Sequence, residues 1–156
     1  MKRGAGALLS LLMLFSLACA SSTGDGPVEV MAGSDVRTYS GLTEMGTGFF
    51  GGAKSRGNGR FEIGSTGVLW HNERGSDRNI SLRPEVIRRV WLTCAERTGT
   101  NLCLDLGIET LTGKEHHFRD TNWEGGVNTM ILEAYEHMRS LYPQVQFDRK
   151  TVDDFS

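Results

Sequence analysis

Two cysteines in the second half of the chain have a spacing that could bring their sulfurs together. Cys94 and Cys103 flank the dipeptide Thr98-Gly99, which is a turn signal. If that dipeptide is the centre of a hairpin, the two cysteines face each other with Cβ atoms about 4.5–5.5 Å apart, near the range of a disulfide. We therefore predict a Cys94–Cys103 disulfide, with two buried free thiols as the alternative.

Three basic residues could act together on an anion. Lys54, Arg56 and Arg60 lie in a glycine-rich stretch, where a flexible backbone and point charges could bind a phosphate or another anionic group. A solvated surface loop is the alternative. The segment 51–55 (GGAKS) lacks the Gly-Lys-Ser/Thr ending of a phosphate-binding P-loop and does not open a clear helix, so nucleotide binding is not predicted.

No set of residues matches a catalytic or metal-binding pattern. His116 and His117 are adjacent, so on a strand they point to opposite faces and cannot hold one metal ion together. The segment 64–67 (GSTG) is one residue too short for a Gly-x-Ser-x-Gly nucleophile and indicates a turn. Asp105 and Glu109 could form a carboxylate pair, but carboxylates four residues apart are common on surfaces. We predict no catalytic residues, no metal site and no cofactor.

The first twenty residues have the features of a secretory signal. Lys2 and Arg3 precede an uncharged, mostly apolar run over residues 5–18. That run is shorter than the ~20 apolar residues needed to cross a bilayer as a helix. We therefore predict a removable leader over residues 1–20, followed by a flexible polar tether over residues 21–34.

The leader could be cut in two ways. Ala18-Cys19-Ala20 fits the A-x-A pattern of ordinary signal peptidase, which would release a free protein beginning at Ser21. The segment 17–19 (LAC) also resembles the end of a bacterial lipobox, although Ser16 and Leu17 depart from the preferred residues. That resemblance implies a lipid on Cys19 and a membrane as partner. The predicted localisation is the cell envelope, with a free periplasmic or secreted protein as the alternative.

Composition limits the remaining function classes. Without Lys2 and Arg3, the Lys and Arg count falls from 17 to 15, against 19 Asp and Glu residues. A mildly acidic chain with mixed charges does not suit nucleic acid, which requires a basic face. The length that remains is that of one domain with its own core.

The apolar pattern predicts short strands followed by one helix. Period-two alternation and turn signals indicate strands. The apolar stripe of Val127, Ile131, Ala134, Met138 and Leu141, spaced three or four residues apart, indicates an amphipathic helix that ends before Pro143. Thr121 and Glu124 fit a capping box at its start. The remaining predictions are glycine-rich turns from Gly46 to Gly59 and a loose tail over residues 144–156. The predicted strands are 28–31, 35–41, 60–63, 68–71, 79–82, 86–95, 101–108 and 115–118.

Several short antiparallel strands closed by a C-terminal helix resemble the pleckstrin-homology-like superfold, including bacterial PH and GRAM-type domains. The resemblance runs from residue 59 to the end of the helix, a span of more than half of the chain, and its resembling segments are 59–70, 81–90, 111–118 and the helix. The family has a tryptophan within its helix, whereas Trp123 lies at the predicted helix start. The resemblance implies an α+β, mainly β domain over residues 35–143. The regular spacing of the strands itself predicts a small antiparallel sheet bent into a sandwich or barrel. It also implies that Lys54, Arg56 and Arg60 lie about where lipid-binding members have basic residues.

Together these patterns predict an exported, non-enzymatic binding or structural domain tethered to the envelope. Its partner would be an envelope protein, a peptide or an anionic lipid. The alternative is a free periplasmic ligand carrier or small enzyme, which a closed pocket with convergent polar groups would favour.

Overall fold

The computed structural model describes residues 35–47, 53–97, 100–120 and 129–152. The leader, the tether, Cys19, the predicted strand 28–31 and the capping box therefore lie outside the described residues. Eight strands and one helix follow in chain order. The strands are β1 (Arg37–Thr47), β2 (Ala53–Gly64), β3 (Gly67–Asn72), β4 (Ile80–Leu82), β5 (Ile87–Arg97), β6 (Thr100–Thr110), β7 (Glu115–Asp120) and β8 (Gln146–Val152), and the helix is α1 (Thr129–Leu141).

All eight strands belong to one sheet, in the order β4-β3-β2-β1-β7-β6-β5-β8. The prediction of a mainly β domain with one helix is confirmed. Of the two predicted forms, a sandwich or a barrel, a closed barrel is wrong for the described strands, because β4 and β8 are the two edges of an open sheet. The sheet is also mixed rather than antiparallel, since β8 runs parallel to β5.

The predicted loose tail is wrong for residues 146–152, which form β8. A parallel neighbour needs a crossover connection, and α1 supplies it between β7 and β8. The segment is polar apart from Phe147 and Val152, so it lacks the apolar alternation on which the prediction relied. Backbone pairing with residues 89–95 of β5 orders it nonetheless.

The predicted turns between Gly46 and Gly59 are wrong where that segment is described. β1 runs through Gly46 to Thr47, and β2 already includes Gly57 and Gly59. Neighbouring side chains lie directly against Gly46, Gly57 and Gly59. These glycines therefore leave room on a strand surface instead of bending the chain.

One face of the sheet, called the inner face, packs against α1 and forms the core. The predicted helix stripe is confirmed at Ile131, Ala134 and Met138, which are fully buried. The helix end is fixed by Tyr142, whose hydroxyl lies 2.7 Å from the carbonyl oxygen of Gly64 and 2.6 Å from that of Gly67. Within the described residues, no helix has both the length and the apolar character needed to cross a membrane. The largest buried strand side chains include Leu42, Phe61, Ile63, Trp70, Leu92, Leu106, Ile108 and Phe118.

The predicted hairpin and disulfide are confirmed. Cys94 of β5 lies opposite Cys103 of β6, and a disulfide joins them. The pairs from Arg97–Thr100 to Cys94–Cys103 keep the register that the turn sets, and the register shift comes beyond them, between Thr93 and Cys94. Residues 98 and 99, the predicted turn, lie outside the described part of the chain.

Candidate functional site

Four polar side chains from four different strands lie on the inner face beyond its apolar core. We call this set the polar end: Glu44 of β1, Arg56 of β2, Asn72 of β3 and His116 of β7. Strand pairing brings them together, because Glu44 is opposite Gly57 and Phe118, and Asn72 is opposite Gly59. Arg56 lies at a register shift between β1 and β2.

Glu44 and Arg56 form the charged pair of the polar end. The Glu44 Oε1 atom is 3.4 Å from Arg56 Nη1, and the exposed fractions of the two side chains are 7% and 55%. A Cβ atom at Gly46 would collide with the Arg56 guanidinium, so the guanidinium lies directly over that glycine. The pair therefore joins a buried carboxylate to a guanidinium that remains accessible from solvent.

Asn72 contributes a side-chain amide whose oxygen accepts a hydrogen bond and whose nitrogen has no partner among the described residues. Its Oδ1 accepts a hydrogen bond of 2.9 Å from the backbone N–H of Arg74, which fixes the orientation of the amide. Its Nδ2 is buried and finds no hydrogen-bond partner among the described residues. The amide lies against Gly57, where a Cβ atom would collide with it. Two N–H donors thus remain on a residue that is only 7% exposed.

His116 is the second buried group with an unused polar atom. The residue is 4% exposed, and its Nδ1 has no hydrogen-bond partner in the described part of the chain. Burial lowers the pKa of His116 to about 4, with a further contribution from the positive charges of Lys114 and Arg56. The imidazole is therefore neutral at pH 7 and can make one hydrogen bond through Nδ1 as donor or acceptor.

Positive charge and donors outnumber acceptors around the polar end. Arg78 Nη1 lies 3.3 Å from the carbonyl oxygen of Arg56, and Lys114 is close enough to lower the pKa of His116. Glu44 is the one carboxylate of the four defining residues, and its charge is offset by Arg56. Trp70, two residues before Asn72 on the same face, adds a buried indole N–H with no partner among the described residues. This arrangement favours an anionic or hydrogen-bond-accepting ligand.

A second polar cluster, which we call the outer cluster, surrounds Trp91 on the opposite face of the sheet. The indole lies over Gly107, where a Cβ atom would collide with the ring. The Arg89 guanidinium and the Lys150 ammonium lie 4.9 Å and 5.0 Å from the ring centroid. The His117 ring contacts the indole edge-on at 5.6 Å. Trp91 is consequently only 5% exposed.

The carboxylates of the outer cluster are held by neighbouring side chains. Asp105 accepts two hydrogen bonds from Arg119, of 2.7 and 2.8 Å. Glu109 binds Arg88 at 3.1 Å and Arg89 at 2.9 Å. The sequence offered Asp105 and Glu109 as a candidate carboxylate pair. In the structure the two carboxylates bind different arginines.

The predicted anion-binding residues do not form one cluster. Arg56 belongs to the polar end. Arg60 lies on the opposite face of β2, where its Nε is 3.6 Å from Glu62 Oε1. Lys54 is exposed. The predicted separation of the two adjacent histidines is confirmed, because His116 is buried on the inner face while the side chain of His117 is 43% exposed.

Sequence reasoning missed Glu44 and Asn72. Neither belongs to a motif, and only strand pairing brings them near Arg56 and His116. The available signal was the series Gly46, Gly57 and Gly59, each of which leaves space for a neighbouring side chain. Across the described ranges, no three His, Cys, Asp or Glu side chains form a group that could hold a metal ion.

No family model and no curated protein matches this chain. A chain in the solved structure titled "Structure of the Spt16D Pob3N heterodimer" is similar at 11% sequence identity with a TM-score of 0.46. The match covers 81% of this chain and 59% of that chain, so this chain spans less than two thirds of its length. Similarity at this level assigns neither a function nor a partner.

Proposed function

We propose that the chain is an exported, non-enzymatic domain, held at the cell envelope by a lipid on Cys19, that binds an anionic ligand with its polar end. The observation that carries the binding proposal is the pair of buried, unused polar atoms beside Arg56. Asn72 Nδ2 and His116 Nδ1 lack partners among the described residues. Leaving a buried polar group unsatisfied costs about 1–3 kcal/mol, which a bound ligand would recover.

The ligand chemistry follows from the groups that face it. Arg56 supplies a partly exposed guanidinium, and Asn72 supplies two N–H donors. A phosphate or carboxylate oxygen is the natural acceptor for such a set. None of the four defining residues of the polar end carries a hydroxyl or a thiol, which supports binding rather than covalent catalysis through such a nucleophile.

Two observations on the cysteines support export and attachment: the disulfide between Cys94 and Cys103, and the position of Cys19 at the end of the leader. A disulfide between Cys94 and Cys103 suits an oxidising compartment, in agreement with a leader over residues 1–20. Cys19 remains as the third cysteine, at the position where a lipidated residue would begin the mature chain. The tether over residues 21–34 would then let the domain reach a ligand at the membrane surface.

We also propose that the fold is pleckstrin-homology-like, with β8 added to it. Among the described residues, seven strands precede α1, in keeping with the several short strands and C-terminal helix of the family that the sequence resembles. The sheet order places β1 to β4 and β5 to β7 as two antiparallel meanders joined by the β1–β7 pair. A fold of this class does not fix a ligand, so the binding proposal depends on the polar end alone.

The binding proposal is tested with Arg56→Gln and its matched control, Arg60→Gln. Both substitutions remove one positive charge from β2, but Arg60 pairs with Glu62 on the other face. The protein carrying Cys19→Ser, which keeps the Ala-x-Ala cleavage pattern, is mixed with phosphatidylcholine vesicles containing phosphatidylglycerol. A separate arm uses soluble glycerol phosphate, so that a lipid surface and a free phosphate are distinguished.

We expect Arg56→Gln to weaken binding about tenfold, because a charge-assisted hydrogen bond contributes about 1.5–3 kcal/mol. Arg60→Gln should leave the affinity unchanged within about twofold. Equal losses in both variants would show that only net charge matters and would contradict a site at the polar end. An absence of binding in both arms would exclude a phosphate ligand.

Attachment is tested separately by labelling cells with palmitate. The wild-type protein should take up the label and fractionate with membranes, and Cys19→Ser should do neither. A mature amino terminus at Ser21 would contradict lipidation and identify the released form.

A further inference from the structure

The Cys94–Cys103 disulfide has an arginine against both of its sulfurs. Arg149 Nε lies 3.3 Å from Cys94 Sγ, and Arg149 Nη2 lies 3.3 Å from Cys103 Sγ. Arg149 belongs to β8, which pairs in parallel with β5. The guanidinium therefore reaches both halves of the β5–β6 hairpin from a third strand.

The charge of Arg149 is poorly matched to a disulfide. A neutral sulfur is a weak hydrogen-bond acceptor, whereas a guanidinium is ordinarily paired with a carboxylate or phosphate. No carboxylate among the side chains that the structure describes forms an ion pair with Arg149. A thiolate at either cysteine would place a negative charge beside the guanidinium.

We propose that Cys94, Cys103 and Arg149 form a thiol–disulfide exchange site that is reduced by a dithiol, with Arg149 stabilising the thiolate that is released. This inference does not depend on the anionic ligand of the polar end. Arg149 is a positioning residue in this scheme, because it acts through the two sulfurs rather than on the reductant.

The exchange has two balanced steps. A thiolate of the reductant attacks Cys103 Sγ, the disulfide breaks, and Cys94 leaves as a thiolate beside Arg149 Nε. The second thiol of the reductant, as its thiolate, then attacks the mixed disulfide and releases Cys103 as a thiolate beside Arg149 Nη2. The reductant becomes a disulfide, and the protein gains two electrons and up to two protons. Attack on Cys94 first exchanges the two roles, so either leaving sulfur faces the guanidinium.

Arg149 also controls access to the disulfide. Cys94 and Cys103 are 1% and 4% exposed, whereas Arg149 is exposed. The side chain that covers the sulfurs thus lies at the surface and can rotate away without repacking the core. A small dithiol would approach through the space that Arg149 vacates.

The test compares wild type with Arg149→Gln and Arg149→Lys after reduction of the folded protein by dithiothreitol. The thiol pKa is read from the thiolate absorbance near 240 nm as pH is varied, with Cys94→Ser/Cys103→Ser as the blank. A thiol beside a cation can titrate between about 3.5 and 7.5 instead of about 8.5. We expect a first thiol pKa below about 7 in wild type, a rise of at least about one unit in Arg149→Gln and partial recovery in Arg149→Lys.

Each result bears directly on the proposal. A disulfide that dithiothreitol reduces only after the protein unfolds would overturn it. A wild-type thiol pKa near 8.5 would also overturn it, and this measurement is made on the wild-type protein, so it does not depend on whether a variant folds. A lowered pKa that is the same in Arg149→Gln would remove Arg149 from the site. Arg139→Gln, a substitution on the exposed face of α1, controls for the loss of one positive charge and should leave the thiol pKa unchanged.

Discussion

The polar end and the outer cluster lie on opposite faces of one sheet, and both pack a large side chain over a glycine. In each, a glycine leaves room for a large side chain: Gly46 lies under the Arg56 guanidinium, and Gly107 lies under the Trp91 ring. In the outer cluster, the covering groups are a rigid indole and cations held against it. In the polar end, the covering group is the tip of a flexible arginine that is more than half exposed.

The two regions also differ in how completely their polar groups are paired. Asp105 and Glu109 of the outer cluster are bound by three arginines, and Arg89, whose Nε lacks a partner among the described residues, covers the indole instead. Asn72 and His116 of the polar end retain unused atoms although both residues are buried. The carboxylates of the outer cluster are therefore paired although one of its cations is not, whereas the unused atoms of the polar end lie beside an accessible guanidinium, where we expect a ligand.

The largest effect on stability is expected from adding a methyl group at Gly107, the glycine under the Trp91 ring. Gly107→Ala should destabilise the protein by about 3 kcal/mol, at the upper end of the cost of overpacking, because the Trp91 ring cannot move without losing its contacts with Arg89 and Lys150. Urea unfolding followed by circular dichroism measures the loss. A loss below about 0.5 kcal/mol would show that the indole moves freely and that the outer cluster is not a rigid structure.

The next effect is the pH dependence that His116 imposes. Its folded-state pKa of about 4 lies below the ordinary value of 6.5, so the unfolded chain binds a proton first as pH falls. The stability that comes from keeping the ring neutral is complete above pH 6.5 and is lost as pH falls towards 4.

We expect wild type to lose about 2 kcal/mol relative to His116→Gln between pH 7 and pH 4. Thermal unfolding of both proteins across this range gives the difference, in which the titrations of the other groups cancel. Parallel stability curves for the two proteins would mean that His116 is solvated and that the polar end is not buried.

A smaller effect is expected when one ion pair of the outer cluster is removed. Arg119→Gln removes the two hydrogen bonds that Arg119 donates to Asp105. The substitution should destabilise the protein by only about 1 kcal/mol, because both side chains are partly exposed. The loss should shrink in 1 M salt, where the Debye length is about 3 Å. Urea unfolding at low and high salt measures both, and a salt-independent loss would indicate packing rather than charge.

The smallest effect on stability is expected at the glycine of the polar end. Gly46→Ala should cost less than about 0.5 kcal/mol, because the methyl group meets the far end of a flexible side chain that can swing into solvent. The same change should weaken binding of phosphatidylglycerol vesicles as strongly as Arg56→Gln does. Unfolding and vesicle sedimentation of one preparation measure both quantities. A large loss of stability with unchanged binding would reverse the roles assigned to the two regions.

Local patterns in the sequence predict much of this fold. The turn at residues 98–99 predicts which residues of β5 and β6 face each other, so the Cys94–Cys103 pair follows from counting. The stripe through Ile131, Ala134 and Met138 predicts the buried face of α1 in the same way. Both inferences need only the geometry of one hairpin or one helix.

What the sequence does not predict depends on pairing between distant strands. β8 has few apolar residues, and its position is fixed by the crossover through α1 and by backbone pairing with β5. The polar end needs the pairing of four strands and a register shift beside Arg56, none of which is encoded near Glu44 or Asn72. The separation of Lys54, Arg56 and Arg60 has the same origin: regular alternation would place all three on one face of β2, and the register shift beside Arg56 breaks that alternation.

The two adjacent histidines of β7 allow one measurement on both regions, because His116 lies in the polar end and His117 contacts Trp91. We would record the imidazole resonances of both residues by nuclear magnetic resonance while adding short-chain phosphatidylglycerol. The predicted result is a saturable shift of the His116 resonances with those of His117 unchanged. A shift at His117 alone, or at neither histidine while the lipid binds, would contradict the assignment of the polar end as the ligand site.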